Sequence, residues 1–401
     1  MISEKLYQAS VWEEFLAYKL EKHHLHPDEE KDLKSFIENQ EYLPVVERML
    51  TGSFCTVPEK KLIRKMQTDK KRTVYLFPRE ENYVLKLLTF LLIREYDTVF
   101  SDTLYSFRLH FGVNRAICNL LSHKDLHRKY SYKVDISNYF NSIAPEKILP
   151  MLQELLAEDP VLYAFFKAYL TETKVLDQGK IIEETKGVMA GTPPAVFLAN
   201  LYLKDLDEQF TSLQIPYARY SDDIILFADT REELQQNIAT IKSHLTAKGL
   251  SINPKKEVIT APGEPWTFLG ICYENGQIDV SPISLQKIKD KIRRKARAIK
   301  RWQIKKGAND MQAVRAFIRS MNHKFFDATS DHEITWTRWY FPLLTTDASL
   351  HEIDLYLQQW IRYLSTGKHT QKNYNMRYET LKSNGYISLV HAYYEYKNKP
   401  M

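Results

Sequence analysis

Cysteine is scarce in this 401-residue chain, and long apolar runs are missing. The three cysteines, Cys55, Cys118 and Cys272, lie far apart and match neither a zinc-ligand spacing nor a disulfide framework. The longest apolar run, Val84–Ile93, is too short to cross a bilayer and contains Lys86. No basic-then-apolar leader opens the chain. These absences predict a soluble, cytoplasmic protein in a reducing compartment, with no membrane partner.

The composition is that of a folded protein with a polyanionic partner. Hydrophobic residues make up 44% of the chain, which is enough for a core and for one to three domains. The net charge is +6, and Lys60–Arg72 and Lys287–Gly307 are densely basic. One such run is more often a solvated helix face. Two runs together with 25 tyrosines, which can stack on bases, favour a nucleic-acid partner.

Strands and helices alternate from about residue 130 to 280, and the pattern from Pro282 onward is helical. This order predicts a split βαβ sheet packed on helices, followed by a separate helical unit. The individual elements are expected as follows: helices up to Pro58, strand Val74–Phe77, helix Arg79–Phe100, a strand beginning at Ser131, helices opening at Pro145 and Pro193, strands within Tyr217–Ala228, helix Arg231–Lys248, and strands Glu257–Thr260 and Trp266–Tyr273.

Three aspartates carry the chemical signal. Asp135 lies at the end of a predicted strand, and Asp222 and Asp223 lie at the tip of a predicted hairpin. A four-stranded sheet of this kind can bring the strand end beside the hairpin. Clustered carboxylates need a cation or a proton, and hard divalent ions such as Mg²⁺ prefer oxygen ligands. Taken alone, Ser-Asp-Asp is also ordinary turn chemistry.

The surrounding blocks resemble those of bacterial reverse transcriptases related to retron and group II intron enzymes. They occur in the family's order, and any one of them alone would be a weak signal. The blocks are Phe100–Ile117, KVDISNYFNSI (Lys133–Ile143), Gly187–Leu203, the YxDD box Tyr220–Asp223, KGLSINPKKEVI (Lys248–Ile259) and the FLG hairpin Phe268–Gly270. The resemblance implies an α+β, right-hand polymerase with fingers, a split βαβ (ferredoxin-like) palm and a helical thumb.

The resemblance also implies the domain boundaries. An N-terminal helical extension would cover residues 1–58, the fingers 59–130, the palm 131–280 and the thumb 281–401. No nuclease, integrase, RNase H or HNH block is visible in the sequence. The histidines of KHHLH (Lys22–His26) and HKDLH (His123–His127) are expected to be exposed rather than metal ligands.

The resemblance assigns a reaction and its metals. The protein would be an RNA-directed DNA polymerase that uses dNTPs, an RNA template and a nascent DNA strand. Asp135 and Asp222 would ligate two Mg²⁺ ions, which Mn²⁺ could replace, and Ile136 would be a further ligand. Asp223 would help with metal or primer positioning. The ions would stabilise the attacking and leaving oxygens of an in-line displacement at phosphorus.

Further residues are assigned to the nucleotide and the primer. Phe140 would be a steric gate against the 2′-hydroxyl, with core packing as the alternative. The remaining implied contacts are Arg72, or Lys71, on the triphosphate; Lys256, or Lys255 in the other register, on the pyrophosphate; Gly191 beside the nascent base pair; and Tyr220, Phe268, Leu269, Gly270, Arg293, Arg294 and Arg297 along the primer and template.

One block departs from the family pattern. Where relatives have Gly-x-Pro-Gln-Gly, this chain has Gly187–Gly191 with Ala190 in place of the glutamine. The amide that touches the templating pair is therefore missing, which predicts relaxed or restricted templating. A template-independent or protein-primed DNA polymerase on the same fold is the close alternative.

The C-terminal 281–401 stretch resembles the tails of abortive-infection and defence-associated reverse transcriptases. That resemblance implies a role in bacterial antiviral defence. A bound non-coding RNA and a homo- or hetero-oligomer are left open as partners. Two other enzymes with a similar palm fit less well. Phe140 argues against an RNA-dependent RNA polymerase, which must accept the 2′-hydroxyl, and a nucleotide cyclase has no need of a basic helical thumb. A catalytically silent RNA-binding scaffold would be expected to lack the three aspartates, which are present.

Overall fold

The computed structural model describes residues 1–22, 25–51, 56–64, 71–326, 335–368 and 376–399. The chain divides into two compact units, Met1–Pro262 and Gly263–Met401. The four domain boundaries inferred from the family resemblance stay predictions.

The first unit begins with helices that share an aromatic core. These helices are α1 (Ile2–Lys5), α2 (Ala9–Lys22), α3 (Pro27–Glu38) and α4 (Tyr42–Leu50), followed by the longer α5 (Arg79–Glu95). The Trp12 ring stacks on Tyr42 with 4.8 Å between centroids, and Phe15 packs on Phe90 of α5 at 5.5 Å. Burial of such large rings is the main term that holds short helices in place.

A four-stranded N-terminal sheet follows these helices. Its strands are β1 (Glu59–Arg64), β2 (Lys71–Leu76), β4 (Lys174–Asp177) and β5 (Lys180–Glu183), in the order β2-β1-β4-β5. The antiparallel β1–β2 register runs from Glu59 opposite Leu76 to Arg64 opposite Lys71. Lys60 forms an ion pair with Glu184, so part of the basic stretch predicted to contact phosphates is paired within the protein.

The central sheet has the predicted split βαβ arrangement. Its strands are β3 (Tyr130–Asp135), β6 (Tyr217–Tyr220), β7 (Asp223–Ala228) and β8 (Val258–Thr260), in the order β6-β7-β3-β8 with every neighbour antiparallel. The hairpin strand β7 lies between β3 and β6, which is what splits the βαβ unit. Ile224 to Phe227 on β7 are fully buried. This burial of both faces follows from the continuous apolar run in the sequence.

Helices connect and cover the central sheet. They are α6 (Val113–Ser122), α7 (Tyr139–Ser142), α8 (Pro145–Leu155), α9 (Pro160–Thr171), α10 (Ala195–Tyr202), α11 (Lys204–Ser212) and α12 (Arg231–Ala247). Pro145 occupies the first position of α8, as predicted. Helix α12 begins with a capping box formed by Thr230 and Glu233, and it packs against β3 and β7.

The second unit joins a small sheet to a helical bundle. Strands β9 (Trp266–Phe268), β10 (Ile271–Glu274) and β11 (Gln277–Val280) lie in the order β11-β10-β9. The helices are α13 (Pro282–Lys306), α14 (Asp310–Phe325), α15 (Trp336–Tyr340), α16 (Ala348–Thr366), α17 (Tyr378–Ser383) and α18 (Leu389–Lys397). Helices α13, α14 and α16 pack on one another. Asp354 of α16 is buried and accepts a hydrogen bond from the Tyr386 hydroxyl at 2.7 Å.

The mixed α+β fold predicted from the sequence is confirmed, with local differences. Helix α5 ends at Glu95 rather than near Phe100, and a short 3₁₀ turn at Asp97–Val99 follows it. The predicted strand Trp266–Tyr273 is interrupted at Leu269 and Gly270, whose φ angles are 48° and 90°. The sequence did not predict β1, β4 and β5, because these strands are polar and lack a clear alternation. His23, His24, Cys55 and residues 65–70 of the first basic stretch lie outside the described residues.

No helix among the described residues is both long and apolar enough to cross a membrane.

Candidate active site

The three aspartates meet where β3 ends beside the β6–β7 turn. Asp135, the last residue of β3, is the register partner of Asp223, the first residue of β7. The Ile136 amide donates a hydrogen bond to the Asp222 carbonyl at 3.0 Å. Antiparallel register partners have Cα atoms about 4.5–5.5 Å apart. The sheet therefore brings together the strand end and the hairpin tip predicted from the sequence.

Burial and mutual repulsion act on the two hairpin carboxyls. Burial, followed by the charge of Asp135, raises the pKa of Asp222. Burial, followed by the charges of Asp222 and Asp135, raises the pKa of Asp223 to about 6. Both shifts mean that the folded protein disfavours the ionised carboxylates unless positive charge lies close by.

Lys256 supplies one such charge. Its ammonium donates a hydrogen bond to Asp135. Burial lowers the pKa of Lys256, but the hydrogen bond to Asp135 and the charges of all three aspartates outweigh burial and raise it. Lys256, predicted to neutralise the pyrophosphate, therefore lies at the carboxylate cluster. The alternative, Lys255, is exposed like Lys256, and its amide donates to the Asn253 side chain at 3.2 Å.

The donor chemistry of this cluster fits a divalent cation. Three carboxylates from Asp135, Asp222 and Asp223 provide the hard oxygen atoms that Mg²⁺ and Mn²⁺ prefer. Within the part of the chain that the structure describes, no three His, Cys, Asp or Glu side chains are placed so that they could hold a metal ion together. Here the Asp135 carboxylate is instead paired with Lys256. The cluster thus offers three carboxylates that need positive charge close by, and the Lys256 ammonium meets this need at one oxygen of Asp135.

A second group of predicted residues surrounds Phe140. This group, named the Phe140 wall, consists of Phe140 on α7, Arg72 and its neighbours on β2, and residues 187–191. The Arg72 guanidinium lies over the Phe140 ring, 5.7 Å from the centroid. The Phe140 carbonyl accepts a hydrogen bond from the Val188 amide at 2.9 Å. The Arg72 charge also acts on Asp222, which links this wall electrostatically to the acids. Lys71, the alternative triphosphate ligand, is exposed at the start of β2.

Glycine is required at two positions of this wall. Gly187 has φ +58°, and a Cβ there would lie 2.4 Å from the Phe140 carbonyl oxygen. Gly191 has φ +101°, and a Cβ there would lie 2.9 Å from the Val74 Cβ. Both distances are shorter than Cβ atoms tolerate, so the backbone of 187–191 approaches its neighbours more closely than any side chain would allow.

Ala190 is buried in the same wall, and both of its peptide groups are engaged. Its amide donates to the Asn141 Oδ1 at 2.9 Å, and its carbonyl accepts from the Tyr75 amide at 2.9 Å. The departure from the family pattern at Ala190 therefore removes a side-chain amide, while the backbone of residue 190 stays tied to β2 and α7.

The YxDD turn rests on a buried polar network that sequence reasoning missed. Arg219 is fully buried, and its Nε donates to the Asp207 Oδ1 at 2.8 Å. The same guanidinium donates to the Ser221 carbonyl at 3.3 Å and to the Asn200 carbonyl at 3.1 Å. The Ser221 amide donates to the Ser106 hydroxyl at 2.8 Å. The only signal in the sequence was a cation just before the two acids, and it gave no indication that Arg219 turns inward to Asp207.

Tyr220 lies beside the acids, at the last position of β6. It is the register partner of Asp223, and its ring centroid lies 6.5 Å from that of Phe107. Burial raises the pKa of its hydroxyl.

The remaining predicted primer and template residues all lie in the second unit. Phe268 ends β9, and Leu269 and Gly270 form the turn into β10. A Cβ at Gly270 would lie 2.8 Å from the Tyr340 hydroxyl. On α13, Arg294 and Arg297 are exposed, and Arg293 pairs with Asp290 at 2.8 Å.

Comparison with known proteins gives a family match across both groups of site residues. The family model described as reverse transcriptase (RNA-dependent DNA polymerase) matches residues 63–273. The retron Ec83 reverse transcriptase of Escherichia coli is 26% identical, over 39% of this chain and 52% of its own. The retrovirus-related Pol polyprotein from type-1 retrotransposable element R2 of Nasonia vitripennis is 27% identical, over 31% of this chain and 13% of its own. The chain thus spans about half the length of the retron relative.

Among solved structures, apo telomerase from Candida tropicalis gives a TM-score of 0.48 at 11% identity, covering 78% of this chain and 64% of that one. Telomerase from Candida albicans gives 0.45 at 10% identity, covering 86% and 67%. These structural similarities are low, and the assignment rests on the sequence match instead. Because that match covers more than half of the 401 residues and includes Asp135, Asp222 and Asp223, the chain belongs to the reverse transcriptase family.

Proposed function

We propose that this protein is an RNA-directed DNA polymerase that extends a primer with deoxynucleotides on an RNA template. The observation that carries the proposal is the meeting of Asp135, Asp222 and Asp223 at one strand end and turn, inside the stretch that matches the family. The name of the retron relative supports the same reaction.

The carboxylates have an assigned task in this reaction. Reverse transcriptase domains generally use divalent metal ions. In this chain the side chains of Asp135, Asp222 and Asp223, with Ile136, would hold two Mg²⁺ ions, or Mn²⁺ in their place. When bound, such ions stabilise the attacking and leaving oxygens of a displacement at phosphorus. Lys256 lies at the same carboxylates and would neutralise the pyrophosphate that leaves.

The wall around Phe140 would receive the incoming dNTP. Arg72, with Lys71 as the alternative, would bind the triphosphate, and Gly191 would leave room for the nascent base pair. Tyr220, Phe268, Leu269 and Gly270 would contact the primer end. Arg293, Arg294 and Arg297 would contact the phosphates of the template and primer. Arg294 and Arg297 are exposed on α13, and exposed arginines along one helix can neutralise a nucleic-acid backbone. Arg293 would exchange its pairing with Asp290 for a phosphate.

Replacing Phe140 with alanine is expected to relax sugar selectivity. Without the ring, a 2′-hydroxyl is no longer excluded, so the preference for dATP over ATP should fall by at least about 10-fold. The ratio of kcat/KM for the two nucleotides measures this effect. Phe140→Tyr keeps the ring and is the matched control, with the ratio retained. An unchanged ratio in Phe140→Ala would mean that Phe140 is a packing residue only.

A polymerisation assay on the purified protein tests the proposal. Labelled single dNTPs and Mg²⁺ are added before and after RNase treatment, and all four dNTPs are added with a heteropolymer RNA and a DNA primer. Incorporation that depends on RNA, by the wild-type protein and not by Asp222→Ala/Asp223→Ala, is the expected result. Faithful, full-length complement of the heteropolymer RNA would contradict the relaxed or restricted templating predicted from Ala190. No incorporation under any condition would overturn the proposal and favour the silent RNA-binding scaffold.

Template-independent or protein-primed synthesis is the second candidate, and Ala190 favours it. The methyl group at Ala190 cannot make the contact that the family's glutamine makes to the templating pair. Incorporation that survives RNase, with a product unrelated to an added RNA, would support this candidate over the first.

The biological setting is part of the same proposal. An antiviral role in the bacterial cytoplasm, with a bound non-coding RNA and an oligomeric assembly, rests on the resemblance of the 281–401 stretch to defence-associated enzymes. Phage plating on cells that express the wild-type protein or the Asp222→Ala/Asp223→Ala variant tests that role. Equal plating on both strains would contradict it.

A further inference from the structure

We infer that Asn141 is a positioning residue that holds the Phe140 wall together and thereby sets how strongly the enzyme excludes ribonucleotides. This inference rests on the proposed polymerase function. Asn141 follows the steric gate Phe140 on α7, and it has no role among the residues assigned above. Its side chain bridges two other segments of the wall, strand β2 and residues 187–191.

The stronger half of the bridge is the bond to Ala190. The Asn141 Oδ1 accepts from the Ala190 amide at 2.9 Å. Ala190 is only 2% exposed, so water cannot readily replace this acceptor. Its carbonyl is already bound by the Tyr75 amide of β2. The backbone of Ala190 is therefore held by two hydrogen bonds, one on its amide and one on its carbonyl, and Asn141 accepts the first.

The other half of the bridge reaches β2 directly. The Asn141 Nδ2 donates to the Thr73 carbonyl at 3.4 Å, which is a long and weaker bond. Arg72, the residue before Thr73, lies over the Phe140 ring. A displacement of Asn141 would therefore disturb the gate ring and the triphosphate-binding strand together.

Residues 187–191 need such external support because their backbone is unfavourable. Met189 is buried with φ +59°, a left-handed backbone conformation that residues other than glycine rarely adopt. Gly187 and Gly191 on either side also have positive φ. Strained backbone of this kind persists only where its surroundings fix it. Two hydrogen bonds tie this segment to α7: the Val188 amide donates to the Phe140 carbonyl, and the Ala190 amide donates to the Asn141 Oδ1.

The expected consequence is a change in selectivity rather than in the chemical step. Without the Asn141 side chain, the Phe140 carbonyl still accepts from the Val188 amide. Residues 187–191 lose their second bond to α7, however, and can shift away from the nucleotide sugar. Discrimination by a steric gate depends on the rigidity of the surface behind the gate. The wider pocket therefore admits the 2′-hydroxyl, while the three aspartates stay in place on β3 and the β6–β7 turn.

The first test compares dATP with ATP as substrates of the full chain. In Asn141→Ala, the ratio of kcat/KM for dATP over ATP is expected to fall about 10-fold, mainly through a lower KM for ATP, with kcat for dATP within about 3-fold of wild type. Asn141→Asp keeps the oxygen that accepts from Ala190 and should retain the ratio. The negative charge that Asn141→Asp adds affects dATP and ATP equally, because both carry the same triphosphate, so it does not change the ratio. Asn237→Ala on α12 lies outside the wall and is the control.

Asn141→Ser is the second variant if Asn141→Ala does not fold. Its shorter side chain stops short of the Ala190 amide, and the same fall in the ratio is expected. A ratio equal to wild type in the folded variant overturns the inference. An equal fall in Asn141→Asp and Asn141→Ala also overturns it, since the Ala190 acceptor would then not be the cause.

Amide hydrogen exchange separates a failure of this inference from a failure of the proposed function. Exchange of the Ala190 amide is expected to be at least about 10-fold faster in Asn141→Ala than in wild type and unchanged in Asn237→Ala. If wild type incorporates no nucleotide, the proposed function fails, but exchange still reports whether Asn141 holds residue 190. If wild type is active and exchange is unchanged in Asn141→Ala, only the positioning role fails.

Discussion

Replacing Asp222 with asparagine is expected to abolish nucleotide incorporation while leaving the fold intact. The amide cannot supply the negative charge that a catalytic cation needs, so kcat should fall by at least about 10³-fold. Primer-extension rates on the full chain, with Mg²⁺ and with Mn²⁺, measure this loss. Asp229→Asn is the matched control: its carboxylate is exposed just beyond the end of β7 and pairs with Lys129 rather than with the cluster, so activity should be retained.

The stability of Asp222→Asn distinguishes a functional charge from a structural one. A carboxyl whose pKa is higher in the folded than in the unfolded protein weakens the fold at pH values above that folded pKa. The weakening fades as the pH falls and the group takes up a proton. The pKa of Asp222 is raised, so at neutral pH and without divalent ions the variant should have a Tm equal to or higher than wild type. A lower Tm together with lost activity would mean that Asp222 supports the fold.

Removing the buried partner of Arg219 is expected to have the largest effect on stability. Asp207 and Arg219 are each no more than 1% exposed, and Asp207→Ala leaves a buried guanidinium without its counter-charge. Breaking such a pair costs about 3–5 kcal/mol of unfolding free energy. Urea denaturation of the full chain measures this cost. Glu208→Ala, the next residue of α11, removes only an exposed pair with Lys204 and should change stability by less than about 1 kcal/mol.

A double variant separates the stability of the pair from its effect on the YxDD turn. Asp207→Leu/Arg219→Met removes both buried charges and should recover much of the stability lost in Asp207→Ala. It does not restore the hydrogen bond from Arg219 to the Ser221 carbonyl, so primer extension should stay at least about 10-fold below wild type. Recovered activity in the double variant would show that the network does not position the turn.

The sequence was most informative where chemistry and local pattern coincide. The apolar run after Asp223 predicted a buried strand, and a serine and two acids between β runs predicted the hairpin of β6 and β7. Pro145 marked the start of α8 because its fixed φ and missing donor suit the first helical position. Strands β1, β4 and β5 were missed because they are short and polar. The pairing that joins β1 to β4, Glu59 opposite Leu176, links segments that are distant in sequence.

Within the candidate site, the sequence located the acids but not the groups that hold them. Asp135, Asp222 and Asp223 were identified together because each sits at the boundary of a strong strand pattern. Asn141, Asp207 and Ser106 sit in ordinary helical or loop surroundings, and nothing local marks them as partners of residues about 10 to 115 positions away. Hydrogen bonds between distant segments are properties of the packed chain.

The sequence by itself determined the family, the alternation of strands and helices, and the three carboxylates, because these depend on residue type and local spacing. Only the tertiary structure decided that Asp135 pairs in register with Asp223, that Lys256 forms an ion pair with Asp135, and that Arg219 turns away from the acids toward Asp207. Those outcomes depend on strand register and on which buried charge finds a partner. Both are set by the free energy of packing the whole unit, in which an unpaired buried charge costs more than any local preference supplies.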